Sequence, residues 1–245
     1  MNEADEEPHF TAAVIGAAGT IGAAISAELE SRFAGSNIIR LSRPGEIQSS
    51  LGHIPIDITA ENSIAAAAAQ VSATSKHLDL VLVATGLLHR SDLQPEKTWR
   101  SLSRNNMAQA FLVNAIGPAL VGSAFLPLLA RNRRVVFAAL SARVGSIGDN
   151  ALGGWHSYRA SKAALNMLLR NFSIELAARN RQGICVALHP GTVDSPLSQP
   201  FHKGIPKQQV ITPERSARCL VDVIEQLTVE DSGRFIDWKG EILPY

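Results

Sequence analysis

Short apolar runs alternate with longer segments of helical periodicity along this chain. The apolar runs predict strands at residues 10–15, 37–41, 54–58, 78–84, 135–140, 184–188 and 234–236. Apolar residues recurring at spacings of three and four predict helices at residues 21–33, 61–73, 158–179 and 213–227, and one or two more within 99–131. This alternation predicts an α/β fold built on one doubly wound parallel sheet flanked by helices.

The length of 245 residues fits one such domain. We therefore expect residues 10–245 to fold as a single domain after a disordered acidic lead at residues 1–9. This lead lacks the basic segment followed by an apolar segment that is typical of a signal peptide. The net charge of +1 gives no bulk attraction to nucleic acid, so no nucleic acid partner is expected. Cys185 and Cys219 are predicted to be free thiols in a reducing, cytoplasmic compartment. Neither they nor the seven histidines show the spacing of a metal site.

One segment has the length of a membrane span, because residues 111–130 contain no formal charge. Asn114, Gly117, Pro118, Gly122 and Pro127 interrupt it. We therefore predict a core or subunit-interface helix rather than a membrane span.

A glycine-rich turn follows the first predicted strand and opens the first helix. It contains Gly16, Gly19 and Gly22, with Thr20 and Ile21 at the start of the helix. Glycines there let the backbone approach a pyrophosphate, and the helix N-terminus supplies aimed N–H donors. In this position the turn predicts a Rossmann-type dinucleotide-binding domain.

The residues after the second strand bear on which dinucleotide is bound. Ser42 and Arg43 stand where an acidic residue usually contacts the ribose hydroxyls of NAD, and both can bind a 2′-phosphate. NADP(H) is therefore preferred, and NAD(H) remains possible. Asp57 and Ile58 end the third predicted strand, at the edge where an adenine would rest.

Tyr158 and Lys162 are four residues apart on a predicted helix, so their side chains lie on the same face. A phenol has a pKa near ~10, and a neighbouring cation lowers that pKa by stabilising the anion. The pair therefore indicates proton transfer beside a cofactor.

These motifs, in this order, resemble the short-chain dehydrogenase/reductase family from about residue 10 to the C-terminus. The sequence segments around Ser141 and Tyr158 look most similar to those of the C-factor-like branch of the family, which is related to carbonyl reductases. The resemblance implies that Tyr158 is the catalytic acid/base and that Lys162 lowers its pKa and holds the nicotinamide ribose. It also implies that Ser141 polarises a substrate carbonyl and that Asn114 positions a water in a proton relay. By the same resemblance, the cofactor contacts Ala84, Thr85, Gly86, Pro190, Gly191, Thr192 and Val193.

The chain departs from the family pattern at three places. Thr20 replaces a glycine of the first turn, and the segment ending at Gly86 lacks the family's asparagines. Ser141 precedes Tyr158 by 17 positions, a longer spacing than usual, whereas Ser146 precedes it by 12. We favour Ser141 because it directly follows a strand, and Ser146 remains the alternative.

The predicted activity is hydride transfer between NADP(H) and a carbonyl or secondary alcohol of a small molecule. Residues 194–212, rich in proline, are predicted to form a lid over the substrate. Tyr245, Trp238 and the uncharged segment 111–130 indicate a homodimer or homotetramer. Two alternatives are a cofactor-binding signalling or regulatory protein like C-factor and an epimerase-like relative, for which the chain lacks the length of an added substrate domain.

Overall fold

The computed structural model describes residues 10–46 and 52–245, so the predicted acidic lead at 1–9 lies outside the described residues. The strands are β1 Thr11–Ile15, β2 Asn37–Ser42, β3 Ile54–Pro55, β4 Leu80–Val83, β5 Val135–Leu140, β6 Gly183–His189, β7 Thr192–Val193, β8 Val210–Ile211, β9 Phe235–Asp237 and β10 Ile242–Leu243. Eight of them form one sheet in the order β10-β9-β6-β5-β4-β1-β2-β3, with only β10 antiparallel to its neighbour. This order confirms the predicted doubly wound sheet.

Helices cover both faces of the sheet. Their bounds are α1 Thr20–Arg32, α2 Glu61–Thr74, α3 Arg104–Phe111, α4 Gly117–Phe125, α5 His156–Arg179 and α6 Pro213–Gln226. Successive side chains of a strand point to opposite faces. Ala12 and Val14 of β1 accordingly pack with α1 and α6, whereas Ala13 and Ile15 pack in the core shared with α2, α4 and α5. Burial on both faces explains why the strands are continuous apolar runs.

Most of the uncharged segment 111–130 belongs to a continuous helical run, Arg104–Leu128. By length and composition alone, this run could cross a membrane. Its centre, Leu112–Ile116, is π-helical, and Pro118 lies in the first turn of α4. Val121 and Phe125 are fully buried against the sheet, and α4 contacts α2 and α5. In this fold the segment is a core helix, as predicted.

Several short elements differ from the sequence prediction. β3 has two residues instead of the predicted five, because beyond Ile56, whose N–H donates to Ser42 O at 2.9 Å, the chain turns at Asp57. β10 and the two-stranded sheet formed by β7 and β8 were not predicted. Strands of two residues are too short to show an alternating pattern.

The order in which strands are added to the sheet reverses at β1: β2 and β3 lie on one side of β1, and β4, β5 and β6 lie on the other. Ile15, the last residue of β1, is opposite Val83, the last residue of β4. The Ala84 N–H donates to Ile15 O at 2.8 Å, so the segments that follow β1 and β4 lie side by side. Ligands of doubly wound sheets bind in the crevice at such a switch point.

Candidate active site at the carboxyl edge of the sheet

The turn between β1 and α1 is held by the neighbouring strand. The N–H groups of Gly16 and Ala17 donate to Leu41 O at 2.8 and 3.1 Å. Gly16 adopts a φ of +86°, a conformation that favours glycine. A Cβ at residue 22 would overlap the carbonyl oxygen of Gly16, so Gly22 permits the close approach of helix and turn.

The N-terminus of α1 is open to a ligand. The helix begins at Thr20 after Gly19, and no side chain in the described residues caps it. Its first turn, Thr20, Ile21 and Gly22, contains no acidic side chain. Because a helix N-terminus presents N–H donors and a partial positive charge, this end of α1 can bind a phosphate group.

Ser42 and Arg43 have different environments at the end of β2. Ser42 is buried, and its Oγ accepts from the Ala18 N–H at 2.9 Å and contacts Nδ1 of His53 at 2.9 Å. Arg43 is exposed and forms an ion pair with Glu46. The hydroxyl predicted to bind a 2′-phosphate is thus already hydrogen-bonded inside the turn, and Arg43 is the exposed member of the pair.

Asp57 lies just beyond β3 as a hydrogen-bonded carboxylate. Its Oδ1 accepts from the N–H and the hydroxyl of Thr59 at 2.9 and 2.7 Å. These hydrogen bonds, with a smaller contribution from the charge of Arg43, hold the pKa of Asp57 below its usual value. Ile58, the next residue, is buried.

Asn114 is fully buried beneath the segment that follows β4. Its Nδ2 donates to Leu87 O at 2.8 Å and to Ser161 Oγ at 3.0 Å, and its Oδ1 accepts from the Leu87 N–H at 2.7 Å. A Cβ at Gly86 would lie 3.8 Å from both Asn114 Oδ1 and Lys162 Nζ. Three of the predicted site residues therefore meet here: Gly86, Asn114 and Lys162.

The two candidate serines occupy different places. Ser141 directly follows β5 and lines a cavity at this edge of the sheet, and its hydroxyl donates to Oδ1 of Asn166 on α5 at 2.6 Å. Ser146 is buried outside that cavity, and its Oγ accepts from the Asp149 N–H at 3.0 Å. Of the two serines, Ser141 is the one that lines this cavity.

Tyr158 and Lys162 lie in the first two turns of α5 and are both buried. The ammonium group of Lys162 donates to Leu140 O, at the end of β5, at 2.8 Å. Burial raises the pKa of Tyr158 above its ordinary value and lowers the pKa of Lys162 to about 7. The expected lowering of the Tyr158 pKa by Lys162 is thus not seen, because desolvation favours the neutral form of both side chains.

The start of α5 is fixed by a residue from a distant loop. Glu96 is buried, and its carboxylate accepts from the Ser157 hydroxyl and, at 3.1 Å, from the Ser157 N–H. The Trp155 N–H donates to the Glu96 carbonyl oxygen at 2.5 Å. Trp155 has a φ of +48° and packs edge-to-face against Tyr158 with ring centroids 6.3 Å apart. Glu96 therefore positions the helix that carries Tyr158.

The cavity beside Ser141 and Tyr158 has a volume of about 430 Å³. Ser141 and Tyr158 share its wall with Ile21 and with residues 190–193, which follow β6 and include β7. The predicted lid contributes Ser195, Leu197, Ser198, Phe201 and Ile205. Phe201 packs on Trp155 with ring centroids 4.8 Å apart, and both rings line the cavity.

Three buried side-chain atoms near this edge have no hydrogen-bond partner within the described residues: Thr85 Oγ1, Asn166 Nδ2 and His189 Nδ1. Burial lowers the pKa of His189 to about 4, so its imidazole is neutral at pH 7. Buried polar groups are normally paired, and of these three residues His189 is the one that lines the cavity described above. The described residues contain no cluster of three or more His, Cys, Asp or Glu side chains suited to a metal ion.

Sequence reasoning missed three residues of this region. Asn166 follows Lys162 by four positions on α5, so the helical spacing that selected Tyr158 and Lys162 also marks it. Arg159 directly follows Tyr158 and lines the cavity. Glu96 gave no local signal, because it meets Ser157 across 61 positions of sequence.

The sheet topology and the hydroxyl groups at its carboxyl edge define the class of protein as a Rossmann-type oxidoreductase. The family model of the short chain dehydrogenases matches residues 11–205. The chain therefore belongs to the short-chain dehydrogenase/reductase family, as the sequence resemblance predicted.

Individual relatives agree with this assignment. The 1-hydroxy-2-glutathionyl-2-methyl-3-butene dehydrogenase of Rhodococcus sp. (strain AD45) is 35% identical over 191 residues, covering 78% of each chain. The C-signal protein of Myxococcus xanthus is 39% identical over 140 residues, covering 57% of this chain and 79% of that protein. The crystal structure of an NADPH-bound carbonyl reductase from chicken fatty liver superimposes with a TM-score of 0.83 at 27% identity, covering 96% of this chain and 98% of that one.

Proposed function

We propose that this protein transfers hydride reversibly between NADP(H) and the carbonyl or secondary alcohol carbon of a small molecule. The observation that carries the proposal is that Ser141 and Tyr158 share one cavity wall, with Lys162 on the same helix as Tyr158. Membership of an oxidoreductase family and the similarity to an NADPH-bound carbonyl reductase support it.

The carboxyl edge of the sheet fits a dinucleotide. The open N-terminus of α1 suits a pyrophosphate, the closely packed Gly16 and Gly22 allow its approach, and His189, whose Nδ1 is unpaired, lines the cavity. When bound, the nicotinamide supplies or accepts the hydride. The residues proposed to hold the cofactor are Gly16, Gly19, Thr20, Ile21, Gly22, Arg43, Asp57, Ile58, Ala84, Thr85, Gly86, Tyr158, Lys162, Pro190, Gly191, Thr192 and Val193.

The preference for NADP(H) over NAD(H) rests on Arg43. Its exposed guanidinium can bind a 2′-phosphate in two-point contact, and doing so requires it to leave Glu46. Ser42 supports the site indirectly, since its hydroxyl holds the turn through the Ala18 N–H.

Tyr158 is the proposed acid and base. Because burial raises its pKa, the phenol is protonated at neutral pH and can donate to a carbonyl oxygen as that oxygen gains charge. The hydroxyl of Ser141 stabilises the same oxygen after leaving Asn166. In alcohol oxidation the phenolate form of Tyr158 accepts the proton of the alcohol; Tyr158 must first lose its own proton, and the ammonium form of Lys162 stabilises the resulting phenolate. Asn114 holds the segment after β4 beside Lys162, which suits the predicted proton relay.

We propose that residues 194–212 close over the substrate. β7 and β8 join the two ends of this segment, and Phe201 contacts His89 as well as Trp155, with ring centroids 5.4 and 4.8 Å apart. Leu197, Phe201 and Ile205 make this part of the cavity apolar. The proposed substrate class is therefore a carbonyl compound with an apolar body.

The function is tested by following NADPH consumption with a panel of aldehydes and ketones, and NADP⁺ reduction with the matching alcohols. We expect turnover of apolar ketones in both directions. Binding of NADPH without turnover on any member of the panel would contradict the proposal.

The cofactor preference is tested by comparing kcat/KM for NADPH and NADH before and after Arg43→Ala. We expect the preference for NADPH to fall at least tenfold, because a charge-assisted contact to the 2′-phosphate is lost. Arg40→Ala is the matched control, since Arg40 lies on β2 three residues before Arg43 but is paired with Glu30 at 2.6 Å. An unchanged ratio in Arg43→Ala would remove Arg43 from the phosphate site.

A second candidate is a cofactor-binding signalling protein, supported by the similarity to C-signal. It predicts NADPH binding with little turnover on any carbonyl. The same panel therefore separates the two candidates, with binding measured by the quench of tryptophan fluorescence.

A further inference from the structure

The positive and negative charges of the side chains that line the cavity beside Ser141 and Tyr158 do not balance. The charged side chains are Arg143, Asp149 and Arg159, which leaves one positive charge in excess when His189 is neutral. Arg143 and Asp149 form an ion pair at 2.6 Å. The excess charge therefore belongs to Arg159.

Arg159 is held in a fixed position without an anionic partner. Its Nε donates to Gly154 O at 3.1 Å and its Nη1 donates to Val144 O at 3.2 Å. In the part of the chain that the structure describes, no carboxylate forms an ion pair with it. Burial alone lowers its pKa below the usual value, so the guanidinium loses hydration without an ionic contact in return.

The remaining donors of this guanidinium suit a carboxylate. A guanidinium has five N–H donors in a planar fork, and two backbone bonds leave the Nη2 group to a ligand. Because two backbone carbonyl groups hold the guanidinium at the cavity wall, the fork is preorganised. Leu152, Leu197 and Phe201 line the same cavity, so an apolar chain fits between Arg159 and the hydroxyls of Ser141 and Tyr158.

We propose that Arg159 is a substrate-binding residue that selects carbonyl compounds carrying a carboxylate at the end of an apolar chain. This inference rests on the proposed function, because the carbonyl group must reach Ser141 and Tyr158.

The test uses two matched series: straight-chain oxo acids of five to ten carbons and their methyl esters. For the wild type we expect at least one chain length at which kcat/KM for the acid exceeds that for the ester. In Arg159→Gln this acid-to-ester ratio should fall at least tenfold, whereas Arg159→Lys, which keeps the charge, should retain part of it. Arg143→Gln is the matched control and should change the ratio less, because Asp149 already neutralises Arg143.

Binding without turnover gives a second readout. Octanoate and octanamide have no aldehyde or ketone group to reduce. Calorimetry should show that Arg159→Gln weakens the binding of octanoate at least tenfold and leaves the binding of octanamide unchanged. If Arg159→Gln leaves both the acid-to-ester ratio and octanoate binding unchanged while ketones are still reduced, the inference is wrong and the proposed function stands. If the wild type reduces neither series nor any other carbonyl, the proposed function itself fails.

Discussion

At the scale of single residues, the two serines near Tyr158 differ in what their hydroxyl groups contact. Ser141 lines the cavity, whereas the Ser146 hydroxyl is used in a local turn with Asp149. We predict that Ser141→Ala lowers kcat by about 100-fold, because one donor to the developing oxyanion is lost. Ser146→Ala should leave most of the activity. Steady-state kinetics on a ketone substrate measures both, and a large loss confined to Ser146→Ala would reverse the assignment.

The buried amine of Lys162 makes a second residue-level prediction. Its pKa falls to about 7 in the folded protein, whereas an unfolded lysine has a pKa near ~10.4. Between these values the unfolded state binds more protons, so the free energy of unfolding rises with pH. Below pH 7 the cost of burying the charge is fully present.

The measurement is the free energy of unfolding of the wild type minus that of Lys162→Met, from urea titrations without cofactor. We expect this difference to increase by about 2 kcal/mol between pH 7 and pH 9. Taking the difference removes the contribution of Cys185, whose thiol pKa is raised by burial. A difference that stays flat across this range would show that the amine keeps its ordinary pKa.

At the scale of elements, the catalytic helix depends on a contact outside itself. Trp155, the residue before α5, has a left-handed conformation. The Glu96 carboxylate accepts hydrogen bonds from the N–H and the hydroxyl of Ser157 in the first turn of the helix. Glu96→Ala leaves the N–H and hydroxyl of Ser157 without this partner, and we predict a loss of about 2 kcal/mol in the free energy of unfolding. Glu61→Ala is the control, because Glu61 is an exposed residue in the first turn of α2. Equal losses in the two variants would argue against the capping role.

At the scale of the whole molecule, the predicted homodimer or homotetramer has a candidate surface. Met167 and Ile174 lie seven residues apart on α5 and are 62% and 60% exposed. Met167 also borders a small cavity with Ile147 and Tyr245. The hydroxyl of Tyr245 donates to Gly233 O of the same chain, so a second copy of the protein can contact Tyr245 only through the exposed part of its side chain.

We predict that light scattering shows a dimer or tetramer for the wild type. Met167→Glu combined with Ile174→Glu should yield a smaller species, because charges replace an apolar contact. Val229→Glu, a charge placed at an exposed apolar residue elsewhere, should not. A wild type that is monomeric at micromolar concentration would contradict the prediction.

Most of the fold was predictable because β1, β4, β5 and β6 are continuous apolar runs that are buried on both faces, and because helix α6 has one clearly apolar side. The glycine turn and the pairing of Tyr158 with Lys162 were predictable because their spacing is local. The electrostatics were not predictable: the pKa of Tyr158 depends on its burial in the folded protein, where it packs against Trp155, and no spacing encodes that burial. Glu96 and the pairing of β7 with β8 depend on contacts across long stretches of chain, and single-sequence patterns do not record those.

The central claim is that the Tyr158 hydroxyl transfers the proton during hydride transfer. The most direct measurement is kcat for the best ketone in Tyr158→Phe, with NADPH binding measured on the same variant. We predict a fall in kcat of at least about 100-fold with cofactor binding largely retained, because only one oxygen atom is removed. Full turnover by Tyr158→Phe would show that another group moves the proton and would contradict the account.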